Sequence, residues 1–345
     1  MRLQDGGGSK TIEAPNLIVS TGSVPVIPPV EGLKEAGYWT SREATSLRDL
    51  PSSVVVMGGG PVGVEMAQVY VRFGVKTVIV NGAARILSRD HPRSSEVVTA
   101  QLRREGVEIR NDVQAVAVRA GGAGRVLELS DGSTVEGAEL IVAAGRRGSD
   151  LRALGLEEAG VTLGEGGEVT LDDQLRAADG VFVVGDAAGG LQFTHLADYE
   201  ARVAVRAALG DGAKADLVSV PKATYTDPET GAVGLTVEEA QAQGIDAFEV
   251  SQDFAYTAKG FTVEPVGGDL REGSPGHVTA VVDRGRGVLV GAFTAGPAAS
   301  EYLHMAVLAI KVGTPVSVLA DTIGAFPTGG RVMTNVFADA AKQLS

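Results

Sequence analysis

The chain of 345 residues contains no cysteine. Without thiols, these residues cannot form disulfides, bind a metal through thiolates, or use a cysteine as a nucleophile or redox centre. Histidine is also scarce: only His91, His195, His277 and His304 occur, and no H-x-x-x-H pair is among them. The sequence therefore excludes cysteine chemistry and argues against a zinc site.

Positive charge is in deficit, because 30 Lys and Arg residues stand against 43 Asp and Glu, for a formal net charge of −13. A nucleic-acid-binding protein needs clustered Lys and Arg to neutralise phosphates, so we expect no nucleic-acid partner. No apolar run reaches the roughly 18 residues of a membrane-spanning helix. The segment Met1 to Gly7 lacks the charged and apolar regions of a signal peptide, which predicts a cytoplasmic protein.

The length and the composition favour several packed domains. Apolar residues make up 44% and charged residues 21% of the chain, as in ordinary globular proteins. A length of 345 residues predicts two or three domains. Thr40-Ser41-Arg42-Glu43 fits the capping box of a short helix, and a domain boundary is expected between Asp216 and Pro221.

A βαβ unit is the clearest local pattern. Val54 to Met57 is typical of a buried parallel strand, Val62 to Phe73 of a helix, and Thr77 to Val80 of a second strand. The glycine-rich segment Gly58-Gly59-Gly60-Pro61-Val62-Gly63 connects the first strand to the helix. A G-x-G-x-x-G motif in this context predicts a Rossmann site for a nicotinamide dinucleotide.

Each glycine of the motif has a separate physical role. Gly58 permits the tight turn, Gly60 lets the backbone approach the pyrophosphate, and Gly63 allows the helix to pack closely on the strand. The helix N-terminus adds N–H donors and a favourable dipole for a phosphate. The alternative is a glycine-rich turn that binds no ligand.

The residue after the second strand normally discriminates between NAD and NADP. A carboxylate there would bond the ribose hydroxyls of NAD and repel the additional phosphate of NADP, but this chain has the neutral Asn81. Arg85 is either a phosphate partner or an ordinary solvated arginine. The choice between the two cofactors stays open at this point.

Further motifs occur in a fixed order along the chain. They are Ser20-Thr21-Gly22-Ser23, the glycine turn continuing to Val64-Glu65, Ala144-Gly145-Arg146-Arg147, Val184-Gly185-Asp186, Tyr225 to Glu229, Val233 to Thr236, and Gly296 to Glu301. This ordered set resembles the flavoproteins of the pyridine nucleotide-disulfide oxidoreductase family, such as dihydrolipoamide dehydrogenase and mercuric reductase. The last three segments resemble that family's C-terminal dimerisation domain, which implies a homodimer.

The resemblance implies a role for each matching residue. On the nicotinamide side, Glu65 would lie near the nicotinamide, and Gly145 and Arg146 would flank the NAD(P)H site. On the flavin side, Asp186 would bond FAD near the ribityl chain and the pyrophosphate, with Gly185 giving clearance. The remaining flavin-side positions are Thr21 and Gly22 in the Thr-Gly turn, and Thr194, His195 and Ala197 at a helix start beneath the isoalloxazine ring.

The chain departs from the family in three respects. Residues 1–345 begin after the family's first βαβ unit, which binds the ADP half of FAD, and they contain no redox-active cysteine pair. The family's His-Pro-Thr-x-x-Glu supplies a general base and its orienting carboxylate. Here the same frame has Phe326 and Arg331, and neither can take that role. Thiol–disulfide exchange is therefore not expected.

Retention of FAD by these residues alone is doubtful. Gly121 to Gly124 does not open a helix, and Gly164 to Gly167 precedes a strand, so neither offers a second phosphate turn. A few hydrogen bonds of about 0.5–1.5 kcal/mol each are small beside an association cost of roughly 4–15 kcal/mol. We therefore expect any tightly held flavin to need contacts beyond these residues.

The predicted architecture is α/β. It has FAD-domain remnants at 1–40 and 151–218, a Rossmann-type NAD(P)-binding domain at 41–150, and an α+β dimerisation domain at 219–345. The first functional hypothesis is an NAD(P)H-dependent flavoprotein oxidoreductase that reduces a quinone-like or other small acceptor, as cysteine-less family members do. The second is a dinucleotide-binding pseudoenzyme or interaction module without bound flavin.

Overall fold

The computed structural model describes residues 2–5, 8–46, 48–122, 124–263 and 273–344. Its contacts divide the chain into unit 1, Met1–Val26 with Arg146–Leu217, and unit 2, Ile27–Gly145 with Val218–Ser345. The sequence predicts a turn over Asp5-Gly6-Gly7-Gly8, of which Gly6 and Gly7 lie outside the described residues.

Strands and helices alternate through most of the described chain. The strands are β1 (Arg2–Asp5), β2 (Gly8–Thr11), β3 (Leu17–Val19), β4 (Ser23–Pro25), β5 (Ser53–Met57), β6 (Lys76–Val80), β7 (Glu108–Arg110), β8 (Ala115–Gly121), β9 (Gly124–Leu129), β10 (Thr134–Gly137), β11 (Glu139–Val142), β12 (Arg146–Gly148), β13 (Arg176–Ala178), β14 (Val181–Val183), β15 (Lys222–Thr224), β16 (Glu229–Gly234), β17 (Ala247–Asp253), β18 (His277–Asp283) and β19 (Val288–Gly296). The helices are α1 (Leu33–Ala36), α2 (Ser41–Ala44), α3 (Pro61–Arg72), α4 (Pro92–Arg104), α5 (Thr194–Ala208), α6 (Val237–Ala242), α7 (Ala299–Val312), α8 (Val316–Ala320) and α9 (Gly329–Leu344).

A parallel sheet of order β11-β5-β6-β7 forms the centre of the first part of unit 2. Successive residues of a strand point to opposite faces, so Val54 and Val56 pack with α3 and α4, while Val55 and Met57 pack with β8, β9 and β10. Burial on both faces explains why β5 is apolar at every one of these positions. The predicted βαβ unit is confirmed.

The helices around this sheet begin at recognisable caps. The capping box at Thr40 is present: its N–H donates to Glu43 Oε2 at 2.8 Å, and its hydroxyl accepts from the Arg42 N–H at 3.3 Å. The sequence predicts a helix from about Ser94 to Glu105. Helix α4 begins two residues earlier, at Pro92, because the His91 ring caps it and proline is favoured at the first helical position.

The second part of unit 2 is an antiparallel sheet of order β15-β16-β19-β18-β17. Helices α7 and α9 cover one of its faces and share a core that includes Val278, Leu303, Val336 and Phe337. This alternation of strands and helices agrees with the α+β pattern predicted for the C-terminal region.

A buried hydrogen-bond network joins the two parts of unit 2. Ser94 Oγ on α4 lies 2.9 Å from His277 Nε2, and His277 Nδ1 lies 2.9 Å from Thr279 Oγ1 on β18. Ser251 on β17 extends the network, with its Oγ 2.6 Å from Thr279 Oγ1. His277 is fully buried, and burial lowers its pKa to about 3. The network therefore holds a neutral imidazole.

Unit 1 contains a sheet in which β14 pairs with β3 in parallel and with β13 antiparallel. β12 pairs with β4, and β1 pairs with β2. Helix α5 packs on this unit through Val203, Ala204 and Ala207. The sequence predicts this helix from Ala197 to Leu209, and it begins three residues earlier, at Thr194. Throughout the described residues, no helix combines the length and the apolar character needed to cross a bilayer.

The buried imidazole generates a prediction for stability against pH. In the unfolded chain, His277 takes up a proton near its ordinary pKa of about 6.5. In the folded protein, the His277 imidazole stays neutral down to about pH 3. The contribution of neutral His277 to the free energy of unfolding is therefore fully present above about pH 6.5. As the pH falls towards 3, the free energy of unfolding decreases by up to about 1.4 kcal/mol per pH unit. Chemical denaturation at several pH values should show His277→Gln with a flatter dependence than the parent. The exposed His304, changed to Gln, is the control, and an equal flattening in both variants would contradict this assignment.

Candidate dinucleotide-binding site

The glycine turn between β5 and α3 leads into a helix N-terminus that no side chain of the described residues caps. Gly60 is the N-cap, and Pro61 at the first helical position has no N–H of its own. The free backbone N–H groups of the first turn are the donors that bind phosphates in Rossmann folds. The turn therefore fits a pyrophosphate without a charged side chain.

The three glycines of the motif meet different surroundings. A Cβ added at Gly63 would clash with the Gly58 carbonyl oxygen, so helix and turn touch through backbone alone. Gly58 has φ +120°, a value that L side chains rarely adopt. A Cβ at Gly60 would meet no atom within 4 Å. Gly60 therefore faces open space, as a close approach by a ligand requires.

Asn81 lies directly after β6 and beside the turn. Its side-chain Nδ2 donates to the Ala83 carbonyl oxygen at 2.9 Å and to Asn111 Oδ1 at 2.9 Å. A Cβ built on Gly59 would come within 2.8 Å of Asn81 Oδ1, so the carboxamide oxygen borders the glycine turn.

Arg85 is neither of the alternatives that the sequence left open. Its Nη1 donates to the Leu87 carbonyl oxygen at 2.8 Å, and its Nη2 donates to those of Ser88 at 3.0 Å and Asp90 at 2.8 Å. The guanidinium is therefore folded back on its own loop, where it satisfies backbone acceptors.

Glu65 contacts the start of the C-terminal region. Its Oε1 accepts a hydrogen bond from the Tyr225 N–H at 2.8 Å. Burial raises the pKa of this carboxyl, and the bond from Tyr225 partly opposes the rise. Gln68 and Arg72, on the same face of α3, bind Asp227. This face of α3 thus anchors the residues before β16.

Thr21, Gly22 and Asp186, for which the resemblance implies a flavin-side role, lie within unit 1 and are linked through Ser149 and Ser23. The Thr21 hydroxyl lies 2.5 Å from Ser149 Oγ, and the Ser149 N–H donates to the Gly22 carbonyl oxygen at 3.0 Å. The Ser23 hydroxyl donates to Asp186 Oδ2. Residues more than 120 positions apart therefore meet at one place.

Arg146 belongs to the same cluster of unit 1. Its guanidinium donates to Ser23 Oγ and to the Ser23 carbonyl oxygen, each at 2.8 Å. Gly145 belongs to unit 2, has φ +114°, and would bring an added Cβ near no other atom. The flanking role implied for both residues at the NAD(P)H site stays a prediction.

A buried carboxylate supports the turn that carries Asp186. The Gly185 N–H donates to Glu200 Oε2 at 2.7 Å, and Glu200 is only 4% exposed. Burial raises the Glu200 pKa, and the nearby Asp186 charge raises it further. A Cβ at Gly185, where φ is +66°, would lie 3.0 Å from Ala197 Cβ. Gly185 therefore lets α5 approach closely.

The first turn of α5 is open to solvent. Thr194 and His195 are exposed, and the His195 ring stacks on Phe193 with centroids 5.1 Å apart. Within the part of the chain that the structure describes, no side chain caps this helix N-terminus. Its placement is compatible with the implied flavin contact, which stays a prediction.

Comparison with known proteins agrees with this geometry. Residues 2–201 match the family model described as pyridine nucleotide-disulphide oxidoreductase, and residues 220–336 match the dimerisation domain of the same proteins. The chain belongs to the pyridine nucleotide-disulphide oxidoreductase family. It is a family of flavoprotein oxidoreductases that use FAD and NAD(P)H. The predicted α/β fold class and family are thereby confirmed.

Relatives and solved structures match nearly the whole chain. A dihydrolipoyl dehydrogenase of Geobacillus stearothermophilus is 31% identical over 96% of this chain and 69% of its own length. A mercuric reductase of Streptomyces lividans is 33% identical over 92% of this chain and 66% of its own length. The HOCl-induced flavoprotein disulfide reductase RclA of Escherichia coli superposes with a TM-score of 0.85 at 26% identity, covering 98% of this chain and 75% of that one. The chain thus spans about two thirds of the length of these curated relatives.

Two supporting residues of this family member were not found from the sequence. Ser23 belongs to the motif Ser20-Thr21-Gly22-Ser23, but no feature of the neighbouring sequence indicates that it links Asp186 to Arg146. Glu200 could have been found from the sequence pattern, because it shares the buried face of α5 with Leu196, Val203 and Ala207. A carboxylate on an apolar helix face needs a buried partner, which here is the Gly185 N–H.

The glycine geometry predicts opposite outcomes for two similar substitutions. Gly63→Ala should lower the free energy of unfolding by about 1–3 kcal/mol, because its Cβ clashes with backbone that cannot move aside. Gly60→Ala should leave stability within about 1 kcal/mol of the parent, because its Cβ meets open space at an ordinary φ. Urea denaturation measures both, and equal losses would contradict the assigned roles.

Proposed function

We propose that this protein is an NAD(P)H-dependent flavoprotein oxidoreductase that passes hydride to a quinone-like or other small acceptor rather than to a disulfide. The chief support is the frame from Phe326 to Arg331. Phe326 cannot carry a proton, Arg331 cannot accept an N–H bond from a base, and the chain has no cysteine. Disulfide exchange requires a thiolate and an acid, so these residues do not support it.

The residues of the candidate site fit a dinucleotide. The first turn of α3 would bind the pyrophosphate through backbone N–H groups, and Gly60 leaves the space for it. In unit 1, Asp186 is held by Ser23, and Gly185 by Glu200, in positions suited to the flavin's polar groups. A reduced nicotinamide beside a flavin supplies the hydride chemistry itself. The protein's part is to bind, orient and exclude water.

An open groove next to Phe326 supports a ring-shaped acceptor. The groove has a volume of about 620 Å³ and is lined in part by Tyr256, Lys259, Phe326 and Arg331. Phe326 is 73% and Tyr256 is 80% exposed, so both rings present apolar surface. Flat aromatic surfaces favour stacking with a planar partner. The two cationic side chains favour an acceptor with carbonyl or other electron-rich oxygens.

The enzymatic proposal is tested by redox assays of the purified protein. With FAD added, NADH oxidation should proceed with a quinone and should not proceed with a small disulfide. Gly60→Val should weaken NADH binding at least about tenfold, because its side chain occupies the space of the pyrophosphate. Gly122→Val, at an exposed glycine with no atom near its added Cβ, is the matched control. A protein that binds NADH but neither retains flavin nor reduces a quinone is the non-catalytic module of the alternative hypothesis.

A homodimer through residues beyond about 220 is part of the same proposal. The match to the dimerisation domain supports it, and the C-terminal region exposes apolar side chains that a partner would bury. Among them are Leu308 at 63%, Val312 at 66% and Ile323 at 94% exposure. We further expect a cytoplasmic location.

Sedimentation of a charged variant tests the dimer. Ile323→Asp should shift a micromolar sample from dimer towards monomer, because a desolvated carboxylate without a partner is costly in an interface. Val116→Asp is the control, since Val116 is 50% exposed on β8, in the nucleotide-binding part of unit 2. A monomeric parent protein, or equal behaviour of both variants, would contradict the prediction.

A further inference from the structure

The structure assigns to Asn81 a preference for NADH over its 2′-phosphorylated counterpart NADPH. This inference rests on the proposed dinucleotide site and concerns the ribose that would lie beside the end of β6. The sequence leaves the preference open, because a neutral amide can present either a donor or an acceptor. The hydrogen bonds of Asn81 decide which of the two it presents.

The orientation of the carboxamide is fixed by its neighbours. A backbone carbonyl can only accept, so the atom 2.9 Å from the Ala83 oxygen must be the nitrogen. The second N–H donates to Asn111 Oδ1 at 2.9 Å. Both donors of the amide are therefore used inside the protein.

The carboxamide oxygen is the group left for a ligand. Within the described chain it accepts no hydrogen bond, and it is not among the fully enclosed unpartnered atoms. It borders Gly59 in the turn that would hold the pyrophosphate. The backbone of Asn81 is also occupied, since its N–H donates to Arg110 and its carbonyl accepts from Val113. Asn81 thus offers an acceptor at the place where Rossmann proteins selective for NAD have a carboxylate.

An acceptor discriminates between the two dinucleotides. A ribose 2′-hydroxyl can donate a hydrogen bond to this oxygen, whereas a 2′-phosphate presents acceptor oxygens and negative charge. The phosphate would then lie against an acceptor with no compensating donor. Sites built around a donated hydrogen bond reject analogues that cannot make it.

Two arginines close to Asn81 in the loop and in the sheet are already engaged by the protein. Arg85 is bound to three carbonyl oxygens of its own loop. Arg110, which pairs with Val80 in the sheet, has its guanidinium bound to Glu108 and to the Thr134 carbonyl. Arg89 is exposed in the same loop, so it needs a direct test.

Equilibrium titrations of the full chain with NADH and with NADPH test the inference. The parent should bind NADH about three- to tenfold more tightly, the value of one hydrogen bond. Asn81→Ala should bring the ratio towards one, and Asn81→Asp should widen it, because a carboxylate is a stronger acceptor and repels the phosphate. Gln241→Glu makes the same amide-to-carboxylate change on exposed α6 and should leave the ratio unchanged.

The outcomes separate this inference from the proposed function. Equal or tighter binding of NADPH by the parent overturns the inference alone. In that case, a specific loss of NADPH affinity in Arg89→Ala would assign the contact with the 2′-phosphate to Arg89. Binding of neither dinucleotide overturns the proposed function, and the inference with it. The ratio of NADH to NADPH affinity is measured on the parent protein itself. A disturbance of the loop by substitution at Asn81 therefore cannot obscure this result.

Discussion

The contact between Gly63 on α3 and the carbonyl of Gly58 is the constraint on which the nucleotide-binding part of the molecule depends. It is a backbone-to-backbone contact, and it sets how closely the helix can approach the strand that precedes it. With the helix in that position, its first N–H groups open onto the space beside Gly60. A single methyl group at position 63 would therefore change the sheet, the helix and the binding surface together.

Several polar side chains that a motif comparison would assign to ligands are engaged by the protein itself. Arg85 binds carbonyls of its own loop, Glu65 binds the backbone of Tyr225, and Arg146 binds Ser23. Each such bond uses a polar atom that a ligand would otherwise contact. Residue type at a motif position therefore does not by itself show which groups remain free for a ligand. The partners of each atom show it, as they do for Asn81.

The sequence predicted the parts of the fold that depend on local patterns. A buried strand, a glycine turn and a helix follow one another within 20 residues, and their periodicity and turn chemistry are local. The links among Ser23, Arg146 and Asp186 join residues as much as 163 positions apart, and no periodicity encodes them. The direction in which Arg85 turns depends on where its loop places the carbonyls of Leu87, Ser88 and Asp90. The positions of the family motifs could thus be predicted from the sequence. Supporting contacts, such as that of Glu200 with the Gly185 N–H, could be found only in the structure.

The overall charge raises a question about an anionic cofactor, because the chain carries a net charge of −13. A site that depended on long-range attraction would be weakened by that charge. Backbone N–H groups at a helix N-terminus instead act over the first turn only and lose no side-chain entropy on binding. Charges beyond about 10 Å are largely screened at ordinary ionic strength. An acidic protein can therefore bind a dinucleotide through its glycine turn while its arginines are used for internal contacts.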